Sequence, residues 1–155
     1  MNDIVIQPLA EHRHLLPTLE AWFESEWPVW YGVGGRGSAR QDLLAYANLG
    51  SVPFGLVAFQ SGVPCGFVAL KREVFPSHPH LSPWAGAAYV EPSLRRRGIG
   101  GALLLALEPH AQALGYSRIY CATGTSESLL QRCGWLLLAH VRHEGQKMGV
   151  YEKAL

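Results

Sequence analysis

The sequence has little charge, and neither sign dominates. Only 16% of its 155 residues are charged, and 13 Lys and Arg side chains nearly balance 12 Asp and Glu, for a formal net charge of +1. Nucleic acids and acidic membrane surfaces select basic faces, so neither a nucleic acid nor a membrane is expected as a partner. Among the seven histidines, His12 and His14 would face different directions at a helix start, and His78 and His80 have no Cys, Asp or Glu nearby in sequence to complete a site, so no metal is expected.

Long apolar runs and paired cysteines are also missing. No segment approaches the roughly 20 apolar residues of a membrane-spanning helix. Residues 1–3 (MND) include an acid, and the start of the sequence lacks the roughly 7–15-residue apolar region of a signal peptide, which argues against one. The odd number of cysteines, Cys65, Cys121 and Cys133, favours reduced, buried thiols. These features predict a cytoplasmic protein with a single domain over residues 1–155, long enough to bury its own core.

Apolar periodicity and turn residues predict the order of elements. Strands are expected at residues 4–6, 53–59, 65–73, 84–90, 118–122, 135–141 and 148–155, and helices at 15–26, 38–48, 99–114 and 126–133. Ser38 followed by Gln41 is typical of a capping box, Pro109 predicts a kink, and the proline-rich residues 75–83 predict a loop. This order predicts an α/β (mixed α+β) fold, a central twisted mixed sheet of six to seven strands flanked by about four helices.

The junction between strand 84–90 and the next helix is the most informative local feature. Residues 95–100 read RRRGIG, directly before a leucine-rich helix. A helix start offers unpaired N–H groups and the positive end of the helix dipole, which together suit a pyrophosphate. Gly98 and Gly100 leave room for a phosphate to approach the backbone. The N-terminus of a helix favours negative charge, so three arginines at this position indicate that an anion binds there. The junction therefore predicts a phosphate site.

Two segments resemble the signatures of a known family, the GCN5-related N-acetyltransferases (GNAT). Residues 90–104, VEPSLRRRGIGGALL, resemble its acetyl-CoA-binding segment, in which a strand end and a proline precede Arg/Gln-x-x-Gly-x-Gly/Ala at a helix start. Residues 129–135, LLQRCGW, resemble its second signature, a short helix that closes on glycine before an aromatic residue. The order of the predicted elements agrees with the same family.

The resemblance implies an acetyltransferase activity and a donor site. It implies direct transfer of an acetyl group from acetyl-CoA to a primary amine of a small molecule or peptide, within a ternary complex. The backbone of residues 87–90 would hold the pantetheine arm, and residues 95–102 the pyrophosphate. The residues implied to bind the co-substrate acetyl-CoA are Ala88, Tyr89, Val90, Arg95, Arg96, Arg97, Gly98, Ile99, Gly100, Gly101 and Ala102.

The acceptor side is less defined in the sequence. In the family, the loop that joins the first two helices borders the acceptor site, which makes Trp27, Trp30 and Tyr31 candidates for the wall of that pocket. The same aromatic residues are equally compatible with a core or with the surface of a homodimer. The identity of the acceptor amine stays open.

The sequence departs from the family at the general acid. Many members carry a tyrosine four residues before the glycine of the second signature, which protonates the departing thiolate; here Leu130 stands four residues before Gly134. Three alternatives follow. Tyr89, Tyr120 or Tyr151 replaces the missing tyrosine; the thiolate leaves unassisted, since a thiol is a good leaving group; or the protein is a non-catalytic acyl-CoA-binding sensor that retains the donor site.

The general base is also unassigned by any motif. An amine must lose a proton to attack a thioester, so a carboxylate or histidine close to the acceptor is expected. Glu73, at the end of the strand before the proline-rich loop, is the first candidate, and His80 within that loop is another. With Tyr151 as the candidate acid, these residues form the predicted catalytic set.

Overall fold

A seven-stranded mixed sheet forms the centre of the computed structural model, which describes residues 3–73 and 75–155. Its strands are β1 (Ile4–Pro8), β2 (Phe54–Gln60), β3 (Val63–Lys71), β4 (Trp84–Val90), β5 (Arg118–Thr123), β6 (Leu136–His143) and β7 (Gln146–Ala154). Across the sheet they follow the order β1-β2-β3-β4-β5-β7-β6. Strands β4 and β5 run parallel and the other neighbours antiparallel, which confirms the predicted mixed sheet.

Five α-helices accompany the sheet in the described part of the chain. They are α1 (Leu16–Glu26), α2 (Pro28–Tyr31), α3 (Ala39–Tyr46), α4 (Ile99–Ala113) and α5 (Glu127–Arg132). Ser38 caps α3 as predicted, since its Oγ accepts a hydrogen bond from the Gln41 N–H at 3.2 Å. The single turn α2 was not predicted. Pro28 ends α1, but its fixed φ also suits the first position of a new helix.

The sheet separates two hydrophobic cores. On one face, α4 and α5 pack through Leu103, Leu107 and Leu130 against alternate sheet residues. On the other face, α1 and α3 pack through Phe23 and Leu43. Strand β2 is buried on both faces, which explains its nearly continuous apolar sequence. No helix in the described residues is both long and apolar enough to cross a bilayer.

The predicted bounds of some elements need correction. Strand β3 ends at Lys71, which pairs with Trp84, the first residue of β4; beyond it no strand lies opposite, so Glu73 belongs to the following connection. The connection forms no helix or named strand in its described part, as predicted, apart from a bridge between Phe75 and His78. Helix α4 continues through Pro109, and the kink stays a prediction.

Candidate active site

Strands β4 and β5 diverge and open the centre of the sheet. Trp84 and Tyr120 form the pair that joins them, and no further β4–β5 pair follows among the described residues. On its other edge β4 carries a bulge, where Ala87 adopts a φ of 50° and the register to β3 shifts. The β5-facing backbone of residues 86–90 can therefore pair with an extended ligand, as with an added strand. We call this gap the central cleft.

The turn that follows β4 has the geometry of an anion-binding nest. Arg96 and Gly98 both adopt left-handed φ angles, of 64° and 86°, before α4 begins at Ile99. The first helical bond runs from the Ala102 N–H to the Gly98 carbonyl at 3.0 Å, so the earlier N–H groups have no acceptor within the helix. A Cβ added to Gly98 would meet no atom within 4 Å. The turn is thus an open cradle of backbone donors, which fits a phosphate.

The three arginines of this turn differ in their surroundings. The Arg95 side chain remains 41% exposed but is held against the protein: its Nε donates to the Val90 carbonyl at 2.7 Å, its Nη2 pairs with Glu26 at 3.0 Å, and its guanidinium lies 5.5 Å from the centroid of the Tyr89 ring. Arg96 and Arg97 are exposed and form no ion pair with any residue in the described part of the chain. The side chains of Arg96 and Arg97 are therefore the ones available to a ligand.

The predicted aromatic residues cluster at the end of α1. The rings of Trp27 and Tyr31 lie 5.1 and 5.4 Å from the buried ring of Phe23, whereas Trp30 is 50% exposed. Tyr31 donates a hydrogen bond of 2.6 Å to Asp42 Oδ2. Burial, and then this bond, raises the pKa of the Tyr31 hydroxyl well above its usual range. Trp27 and Tyr31 are half-buried on the core, and Trp30 alone of the three presents a large exposed face.

A cavity of about 240 Å³ lies at the central cleft. Its lining is Lys71, Glu73, Phe75, Trp84, Ala85, Gly86, Ala87 and Ala122. The cavity thus spans both diverging strands and the bulge. Glu73, predicted from the sequence, lies here with its side chain 71% exposed and forms an ion pair of 3.3 Å with Lys71. Sequence reasoning missed Lys71, although a lysine that ends an otherwise apolar strand is a signal.

The other predicted catalytic residues lie elsewhere. His80 is exposed in the loop, with its ring 6.4 Å from that of His78, and does not line the cavity. Tyr151 is fully buried; it donates a 2.8 Å hydrogen bond to Glu127 Oε1 and accepts one of 3.1 Å from Gln131. Burial, followed by the bond to Glu127, raises the pKa of Tyr151. Its proton is therefore held by a carboxylate.

The remaining positions considered for an acid are also buried. Leu130 is 1% exposed in the core. Tyr89 stacks on Trp22 with a centroid distance of 4.8 Å, and Tyr120 packs on Trp84 at 5.6 Å. Burial is the main cause that raises the pKa of both phenols. None of these groups resembles an activated proton donor.

Comparison with known proteins agrees with this geometry. The family model described as "Acetyltransferase (GNAT) family" matches residues 17–135. That match covers both signature segments and the central cleft. Among curated proteins, no sequence matches the chain.

Solved structures share the fold. An aminoglycoside 6'-N-acetyltransferase complexed with coenzyme A matches with a TM-score of 0.75 at 15% identity, over 97% of this chain and 96% of its own. The Salmonella typhimurium protein yncA with acetyl-CoA matches with a TM-score of 0.71 at 16% identity, over 97% of this chain and 93% of its own. An N-acetyltransferase from Staphylococcus aureus Mu50 matches with a TM-score of 0.74 at 17% identity, over 98% of each chain. At such identities the likeness establishes the fold, and it confirms the fold predicted from the sequence.

Proposed function

The chain belongs to the acetyltransferase (GNAT) family, and from this premise we propose that it transfers an acetyl group from acetyl-CoA to a primary amine. The observation that carries the proposal is that one strand, β4, joins the anion-binding nest to the central cleft. The nest around Arg96 and Gly98 lies at the end of β4, the same strand whose free edge opens the central cleft. When the pyrophosphate of acetyl-CoA binds in the nest, its pantetheine arm can extend along this edge toward the bulge at Ala87.

Two of the three cysteines support direct transfer within a ternary complex. Burial raises the pKa of Cys121 to about 12 and also raises that of Cys65, so both remain protonated thiols at neutral pH. A thiol held in this form is a poor nucleophile, which disfavours an acetyl-cysteine intermediate. The amine would therefore attack the thioester directly, and the cavity would bring the two together.

Glu73 is the proposed base. Its carboxylate lines the cavity, and it is exposed enough to receive the proton of an amine directly or through one water. The acceptor is proposed as a small-molecule or peptide amine that enters past the exposed mouth of the cavity. Trp30, half exposed on α2, is compatible with a wall for this amine and equally with a homodimer surface.

A non-catalytic acyl-CoA sensor is the second candidate, and the buried Leu130 favours it, because that position provides no acid. A panel of chemically varied primary amines, assayed for CoA release, separates the two functions. Amine-dependent release whose initial velocities indicate a ternary complex supports the transferase. Tight acetyl-CoA binding without release from any amine supports the sensor.

The three arginines are expected to contribute unequally to acetyl-CoA binding. Arg96→Ala and Arg97→Ala should weaken binding more than Arg95→Ala, because the Arg95 side chain is already occupied by Val90 and Glu26. The two larger effects should shrink at high salt, which screens exposed charges. Calorimetric titrations at low and high salt measure both effects. Three small and equal effects would instead indicate a diffuse basic surface.

Single Tyr→Phe substitutions are expected to leave turnover within a few-fold of the parent. The change applies to Tyr89, Tyr120 and Tyr151, which are buried residues, and Tyr151 already donates to Glu127. A positioned general acid contributes about 10² to 10⁴ in rate, so the outcomes are well separated. Steady-state kinetics checks this prediction. A loss of that size in one variant, with acetyl-CoA affinity intact, would identify the acid and rule out unassisted departure.

A further inference from the structure

Lys71 holds a largely buried charge at the central cleft. It is the last residue of β3, and its side chain is only 20% exposed. The side chain lies across Gly86 of β4: a Cβ placed on Gly86 would be 3.1 Å from Lys71 Cδ and 3.6 Å from Nζ. The absence of a side chain at Gly86 therefore leaves the space in which the ammonium reaches the cavity.

The positive charge of Lys71 acts on groups on both sides of the gap between β4 and β5. Its ion-pair partner, Glu73, is mostly exposed, so water weakens that pair on one side. Strand β5 lies on the other side. There burial raises the pKa of the Cys121 thiol, and the positive charge of Lys71 acts in the opposite direction and lowers it. A positive field that favours a thiolate on β5 also favours a thiolate placed between β4 and β5.

The proposed path of the donor brings its sulfur to this field. A strand rises about 3.3 Å per residue, so the edge from Val90 to Gly86 spans about 13 Å. A pantetheine arm that begins at the nest and follows this edge ends beside Gly86 and Ala87, which line the cavity with Lys71. The thioester would therefore lie close to the ammonium.

We propose that the Lys71 ammonium is a catalytic group that stabilises the leaving CoA thiolate by ion pairing. This inference rests on the proposed acetyl transfer. The amine nitrogen forms a bond to the acetyl carbon, and the carbon–sulfur bond breaks with its electron pair on sulfur. The amine proton passes to Glu73 or water, and the thiolate later takes a proton from water. Lys71 keeps its own protons, so the charge alone replaces the acid that Leu130 does not supply.

Two other cationic groups, Arg72 next to Lys71 in the chain and Arg118 at the start of β5, are engaged elsewhere. Arg72 donates to the Val52 carbonyl at 2.8 Å, and Arg118 pairs with Glu152 at 3.1 Å. Neither lines the cavity. Lys71 is therefore the cation that the described lining places beside the bulge.

The pKa of the CoA thiol in the enzyme–CoA complex tests this inference directly. Titration of the ultraviolet absorbance of the bound thiolate should show that Lys71→Met raises the thiol pKa by about one unit or more, which is a tenfold change in the ionisation constant. Lys71→Arg should largely preserve the parent value. Lys147→Met removes the same charge from an exposed position that does not line the cavity and should match the parent. Turnover of Lys71→Met should fall by about tenfold or more, with CoA affinity within a few-fold.

Glu73→Gln is a second variant, and it should shift the pKa of the bound thiol in the opposite direction. It removes the carboxylate that competes for Lys71, so the bound thiol pKa should fall below that of the parent, even if Lys71→Met does not fold. An unchanged thiol pKa in folded Lys71→Met, or a thiol pKa that does not fall in Glu73→Gln, would overturn the inference. If the parent itself neither binds CoA nor releases it with any amine, the proposed function fails instead.

Discussion

Gly100→Asp is expected to weaken acetyl-CoA binding at least tenfold, or by about 1.4 kcal/mol. Gly100 lies in the first turn of α4, next to the nest formed around Arg96 and Gly98. A carboxylate there adds a negative charge beside the proposed pyrophosphate and would accept the N–H bonds that the phosphate needs. Calorimetric titration of the folded variant measures the loss.

Gly100→Ala is the matched control. A Cβ at this position would lie 3.4 Å from Leu129 Cδ2, which is an ordinary contact distance, so the methyl group should leave both the fold and the affinity nearly unchanged. Thermal unfolding should show that Gly100→Asp also remains folded. Equal acetyl-CoA affinity in the Asp and Ala variants would place the donor elsewhere.

Glu73→Gln is expected to lower kcat/KM for the amine by about 10²-fold, the lower range for a lost general base. The amide keeps the shape of the side chain but cannot accept the proton of the attacking amine. Because the side chain is 71% exposed, stability should change little. Steady-state kinetics at saturating acetyl-CoA, over a range of pH, measures the effect.

His80→Gln is the comparison for this prediction. His80 is exposed in the same connection and does not line the cavity, so its removal should leave turnover within a few-fold of the parent. A large loss in His80→Gln together with a small one in Glu73→Gln would exchange the assignments of the two residues.

The sequence predicts the fold well because the deciding signals are local. Apolar periodicity locates the strands, and Gly98, with its left-handed φ, marks the turn between β4 and α4. The errors arise where a local signal depends on a distant partner. The end of β3 is set by where β4 begins opposite it, and α2 depends on a proline that both ends and starts a helix.

The candidate site depends on contacts between residues that are far apart in sequence. Arg95 reads as a phosphate ligand, yet its guanidinium pairs with Glu26, 69 residues away. Tyr151 is a possible acid by sequence, yet its hydroxyl donates a hydrogen bond to Glu127 on α5. Lys71 carries no motif, and its position at the cavity emerges only when β3, β4 and β5 come together.

The transfer of an isotope-labelled acetyl group from acetyl-CoA to an amine tests the central claim most directly. With the parent protein and a broad amine panel, we predict that mass spectrometry detects labelled acetyl-amine in amounts equal to the CoA released. Folded Gly100→Asp should reduce both products together at limiting acetyl-CoA, and Gly100→Ala should not. Tight binding of acetyl-CoA by the parent, with no labelled amine from any member of the panel, would contradict the transferase account.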